Sequence, residues 1–75
     1  MTNTDVFLQD KFIRMSLLNV RKSKGITQQE LSDLSGLSVS TISNIENGEN
    51  SYTTRSLIKY AEALGYEITV KKKVE

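Results

Sequence analysis

Residues 27–48 read TQQELSDLSGLSVSTISNIENG. Thr27-Gln28-Gln29-Glu30 has the S/T-x-x-E form of a capping box, in which the threonine and glutamate side chains satisfy each other's backbone N–H groups at a helix start. Leu31 and Leu34 give that helix an inward face, Gly36 supplies the backbone freedom for a sharp turn, and Leu37 can plug the corner. Ser38 is a second N-cap, and the helix it opens carries Ile42 and Ile45 inward at i, i+3. Val39, Ser40, Ser43 and Asn44 are left on an outer face that is short, polar and nearly uncharged. Asn47-Gly48 ends this helix, so the stretch predicts two short capped helices joined by a tight turn.

Upstream, Thr2, Asn3, Thr4 and Asp5 are all cap or first-turn residues, and no glycine or proline follows before Gly25, which predicts a long helix over about residues 5–24. At about 100° per residue, Val6, Ile13, Leu17 and Val20 fall on one stripe, expected to face the core. Leu8, Phe12 and Met15 form a second stripe on another side, either the rim of a wide buried face or a contact with a second copy or another protein.

Downstream, Glu49 to Tyr52 reads as a loop, and Thr53 or Thr54 caps a fourth helix with Leu57, Ala61 and Leu64 inward and Gly65 past its end. The period then changes. Tyr66, Ile68 and Val70 alternate with Glu67, Thr69 and Lys71, the pattern of a half-buried strand over about residues 66–72. A lone strand leaves unpaired backbone groups, and its simplest partner is the same strand of a second subunit, antiparallel across a two-fold axis. The alternative is a disordered tail ending in the charged run Lys71-Lys72-Lys73.

Seventy-five residues make one small domain, 1–75, of a size that buries only roughly 60% of its unfolded surface, so oligomerisation is a reasonable expectation. With no cysteine and no histidine there is no disulfide framework, no ordinary zinc site and no imidazole base; no metal or cofactor is expected, and an enzyme is not. Neither a signal peptide nor an apolar run near the ~18 residues of a membrane span is present, which predicts a cytoplasmic protein with no membrane partner. A net charge of +1 is too small for a nonspecific polyanion binder, so any such affinity must come from placement of charge.

A helix opened by TQQEL, a Gly-Leu-Ser turn, then STISNIENG and later LIKYAEALG resembles the XRE family of phage-repressor and Cro-like helix-turn-helix regulators, over roughly residues 13–65. The resemblance implies a mainly α, four-helix lambda-repressor-like DNA-binding domain, here followed by one C-terminal strand pairing in a dimer. It also implies a structural pair between Arg21 of the first helix and Glu46 near the end of the third, which would otherwise be two unrelated surface charges.

Carried over residue by residue, the resemblance implies base contacts from Ser38, Val39, Ser40 and Asn44 in the major groove, and phosphate contacts from Gln28, Asn47, Tyr52, Thr53, Thr54 and Arg55. Asn44 is the expected reader, since its amide pairs with adenine N6 and N7, while Val39 can pack on a thymine methyl. Ser40 and Ser43 read equally well as ordinary solvated helix residues. Because Val39 and Ser40 replace longer polar side chains, a modest base code supplemented by DNA shape is expected. Lys11, Arg14, Lys22, Lys24, Arg55 and Lys59 are further cations available to phosphates.

The implied function is a dimeric, autoregulating repressor on double-stranded DNA, nucleoid-associated through that binding, with recognition helices about 34–36 Å apart on a pseudo-palindromic operator. Together with Ser40-Thr41-Ile42-Ser43-Asn44-Ile45-Glu46-Asn47, the C-terminal strand, with Tyr66, Ile68 and Val70 at the dimer contact, resembles the HipB-like antitoxin branch. That implies an alternative: an antitoxin that binds a protein toxin as well as DNA, through Leu8, Phe12 and Met15 or the strand surface.

Overall fold

In the computed structural model, which describes residues 3–49 and 52–74, with the side chains of Asn3 and Thr4 excepted, four helices follow one another. They are α1 (Asn3–Ser23), α2 (Gln28–Ser35), α3 (Val39–Asn47) and α4 (Thr54–Ala63). Thr2 of the expected first cap and residues 50–51 of the expected loop lie outside the described residues.

Local chemistry sets the helix ends. The capping box closes in both directions, Glu30 N–H donating to Thr27 Oγ1 at 3.0 Å and Thr27 N–H donating to Glu30 Oε1 at 2.9 Å. Gly36, at φ +78°, ends α2 in the left-handed region and returns its N–H to the Ser32 carbonyl at 3.0 Å. Ser38 caps α3 by accepting from Thr41 N–H at 3.0 Å. Of the two candidate caps for α4, it is Thr53 whose hydroxyl accepts from Ser56 N–H, at 3.0 Å, leaving Thr54 as the first helical residue.

The core is built by Leu17 of α1, Leu31 of α2, Leu37 of the turn, Ile42 and Ile45 of α3, and Tyr60, Ala61 and Leu64 at α4 and its end. Val20, Ile26, Leu57 and Ile68 close its edge. Leu34, expected to face inward, is instead 62% exposed. After the left-handed turn at Gly36 it is Leu37 that is buried in the core.

The first helix is half core element and half overhang. Twenty-one residues at about 1.5 Å each span about 31 Å, more than the width of the packed domain, whose extents are 40 × 24 × 21 Å. Leu17 is buried and Val20 half-buried, but Val6 and Ile13, assigned to the same core stripe, are exposed. Periodicity was right for Leu17 and Val20 but not for Val6 and Ile13: the buried face of α1 runs through Arg14, Leu17 and Arg21, rotated from the apolar stripe, and the N-terminal half of the helix extends past the other helices. Leu8 and Phe12 are exposed too, and only Met15 of the second stripe is half-buried.

The expected strand over 66–72 does not form within the chain. Among the described residues no strand is present, and Tyr66 to Val74 follows α4 without helix or ladder. Alternation gives a segment the capacity for a strand, but a ladder needs a second edge, and no other extended segment of the described chain offers one. Ile68 reaches the edge of the core, while Tyr66 and Val70 remain exposed. Among the described residues, no helix is long and apolar enough to cross a membrane.

Candidate nucleic-acid interface

The inner side of α3 is anchored by Ile42, Ile45 and Glu46, all buried. Glu46 is the unusual one, a carboxylate in a small core. Arg21 donates to it twice, Nε to Oε2 at 2.7 Å and Nη2 to Oε1 at 3.0 Å. The Tyr60 hydroxyl donates to Oε2 at 2.6 Å and the Gln28 amide to Oε1 at 2.9 Å. Arg21 also donates through Nη1 to the Ile26 carbonyl at 2.7 Å. One carboxylate thus ties together α1, α2, α3 and α4, and the paired Arg fork fixes orientation as well as charge.

These groups titrate against ordinary expectation. Burial pushes the Glu46 carboxyl upward, but the hydrogen bonds from Arg21, Tyr60 and Gln28, with the charge of Arg21, outweigh it and hold the group below its ordinary 4.5. Burial first, and then Glu46, push the Tyr60 phenol above its ordinary 10.0. A carboxyl lowered in the fold stabilises above its unfolded pKa, and that contribution is lost as pH falls through the folded value. A phenol raised in the fold contributes fully below its unfolded pKa and loses that contribution as pH rises toward the folded value. The thermal midpoint is therefore expected to hold a plateau, falling below pH 4.5 on the acid side and above pH 10.0 on the alkaline side. Calorimetry across pH checks this; in a Tyr60→Phe variant the alkaline fall should shrink.

The outer side of α3 carries the expected base-contacting set. Ser38 and Ser40 are exposed, and Val39, Ser43 and Asn44 are half-buried. Exposed Asn47 donates through its amide to Ser43 Oγ at 3.2 Å. The carbonyl of Asn44 accepts from Gly48 N–H at 2.9 Å and Glu49 N–H at 3.2 Å, closing the helix. Thr53, Thr54 and Arg55 are exposed at the entrance to α4.

Of the residues expected at phosphates, Gln28 is turned toward Glu46, with one amide N–H occupied there, and Tyr52 donates its hydroxyl to Asp10 at 2.7 Å. Arg14, one of the cations offered to phosphates, is withdrawn altogether. It is 6% exposed, donates Nε to Asp10 Oδ2 at 3.0 Å and directs Nη1 at the Ile45 carbonyl, a long contact of 3.4 Å. Lys11, Lys22, Lys24, Arg55 and Lys59 remain exposed.

Sequence reasoning missed Tyr60 and Asp10, and it offered Arg14 to phosphates rather than to Asp10 and α3. Tyr60 lies beside the Leu57–Ala61–Leu64 stripe, and a buried tyrosine hydroxyl needs a partner, so an acceptor such as Glu46 could have been sought. Asp10 and Arg14 stand at i, i+4, the spacing of a helical ion pair.

The comparisons with known proteins agree with this geometry. No curated protein matches the chain. A chain of a solved structure described as a toxin–antitoxin module from Streptococcus pneumoniae is similar, with 28% identity and a TM-score of 0.79 over 97% of this chain and 83% of that one. A family model described as helix-turn-helix matches residues 17–71, from the buried half of α1 through all of α2, α3 and α4 into the tail. The chain belongs to the XRE-type helix-turn-helix family.

Proposed function

We propose that this protein is a sequence-specific transcriptional regulator, a homodimeric repressor of its own promoter that lays α3 of each subunit in the major groove of a pseudo-palindromic operator. The observation that carries this reading is the division of α3 into two sides: Ile42, Ile45 and Glu46 are buried, while the outer residues Ser38, Val39, Ser40, Ser43 and Asn44 are uncharged and exposed or half-buried. A rigidly held helix with small outward side chains approaches base edges closely, and Asn44 supplies the amide for adenine. Asn47, Thr53, Thr54, Arg55 and the second amide N–H of Gln28 would hold phosphates. The segment 66–72 would gain in a dimer the antiparallel edge that it lacks in one chain.

The test is binding-site selection followed by anisotropy on the selected duplex. Asn44→Ala is expected to lose about 1–3 kcal/mol of discrimination at an adenine position; unchanged preference and affinity would remove Asn44 as the reader. Deleting residues 66–75 and sedimenting the product tests the dimer, which should fall to monomers.

A second reading has its own observations. The similarity to a chain of a toxin–antitoxin module and the exposed Leu8 and Phe12 on the overhanging half of α1 favour an antitoxin that also binds a protein toxin. Coexpression with the neighbouring reading frame separates the two: a stoichiometric complex supports the antitoxin, and a lone dimer shifting its own promoter supports simple repression.

A further inference from the structure

A second polar cluster, with partners distinct from those of Glu46, joins three elements at the C-terminal turn of α3. Tyr52, immediately before the Thr53 cap of α4, donates its hydroxyl to Asp10 Oδ1 at 2.7 Å. The other oxygen of Asp10 accepts from Arg14 Nε at 3.0 Å. Arg14 then carries its guanidinium across to the last turn of α3, where it faces the Ile45 carbonyl. It also lies directly beneath Gly48: a Cβ built there would sit 2.6–2.7 Å from the guanidinium atoms. Gly48 is favoured by its φ of +68°, and a side chain there would also displace the Arg14 guanidinium.

The chemistry of α3 explains what the cluster supplies. A helix C-terminus exposes carbonyl groups with partial negative charge and is stabilised by a nearby cation. Helix α3 has no basic residue in its last turn, so its terminal cation comes from α1. Arg14 is held in that place by Asp10, and Asp10 by Tyr52. The tyrosine hydroxyl has one proton, and it is spent on the carboxylate. A phosphate only accepts hydrogen bonds, so Tyr52 would have to leave Asp10 to reach one.

We propose that Tyr52, Asp10 and Arg14 form a positioning relay that sets the C-terminal end of the reading helix against α1 and the entrance to α4, and that Tyr52 acts through this relay rather than as a phosphate contact. The relay holds Asn44 and Asn47 at a fixed pitch. Its consequence for DNA rests on the reading of α3 given above, whereas its effect on the helix end does not.

Amide hydrogen exchange on the full chain tests the relay without DNA. The Gly48 and Glu49 amides, both bonded to the Asn44 carbonyl, are the reporters, and Leu31 and Ile42 are the controls. In Tyr52→Phe, exchange at the reporters is expected to rise about tenfold, the loss of one hydrogen bond to a charged group, with the controls unchanged. Uniform acceleration at reporters and controls would mean a general loss of stability and overturn the relay, as would no change. Asp10→Asn, which removes the charge that holds Arg14, should affect the same two amides and provides a second, independent variant.

The DNA arm uses the selected duplex and a random duplex of equal length. Deleting the negative charge of Asp10 would by simple electrostatics tighten binding to both. The relay predicts instead that Asp10→Asn and Tyr52→Phe each lower the ratio of selected to random affinity, and that the double variant lowers it no further than either one. An equal loss on both duplexes in Tyr52→Phe, with Asp10→Asn harmless, would restore Tyr52 as a phosphate contact. Failure of the wild-type chain to prefer any duplex would strike the DNA reading and leave the exchange result standing.

Discussion

Glu46→Ala is expected to lower the unfolding free energy by about 3–5 kcal/mol, the cost of breaking a buried ion pair by removing one partner. The alanine leaves the Arg21 guanidinium, 10% exposed at its side chain, without its countercharge. It also leaves the Tyr60 hydroxyl and the Gln28 amide without the acceptor they share. For a small domain with a total stability of about 5–15 kcal/mol, such a loss brings a large fraction of molecules near unfolding. Urea titration followed by circular dichroism measures it. A change under about 1 kcal/mol would mean that water or a neighbouring acceptor takes over the carboxylate's role. Replacing Glu46, Arg21 and Tyr60 together by apolar residues should cost less than Glu46→Ala alone, because no charge is then stranded.

The second large effect is a contrast within α2. Leu31→Ala is expected to cost about 2–5 kcal/mol, and Leu34→Ala, three residues later, to stay within about 0.5 kcal/mol. Leu31 is fully buried against α3 and α4; Leu34 is 62% exposed. Equal losses at the two sites, measured by the same urea titration, would mean that Leu34 is covered in solution, and sedimentation would then tell whether a second copy covers it.

That contrast also marks the boundary of what the sequence expressed. The caps at Thr27 and Ser38, the turn at Gly36 and the inward pair Ile42 and Ile45 were legible because each depends on residues at most four positions away, and the same local chemistry narrowed the α4 cap to Thr53 or Thr54. The Arg21–Glu46 pairing was reached only through a family resemblance, since 25 residues separate the two. Tyr60 on Glu46 and Tyr52 on Asp10, separated by 14 and 42 residues, depend on how whole helices pack, and no local spacing pairs them. The same reason explains α1: an apolar stripe suggests a face, but the buried arginines Arg14 and Arg21 turn the covered face away from Val6 and Ile13, and that is set by the partners on other helices. At the tail, alternation gave a strand pattern for which the described residues offer no pairing edge.

The division of labour within α3 has a consequence for how such a protein changes over time. Everything that fixes the helix, from the Ser38 cap through Ile42, Ile45 and Glu46 to the glycine above Arg14, lies at its ends or on its inner side. Of the outer positions, 40 is exposed, and 39, 43 and 44 are half-buried. Exposed Ser40, away from the buried anchors, is consequently the outer position where substitution is expected to cost the domain least. The same separation makes α3 a convenient cassette for engineering: exchange the outer residues, keep the inner ones, and the scaffold should continue to fold.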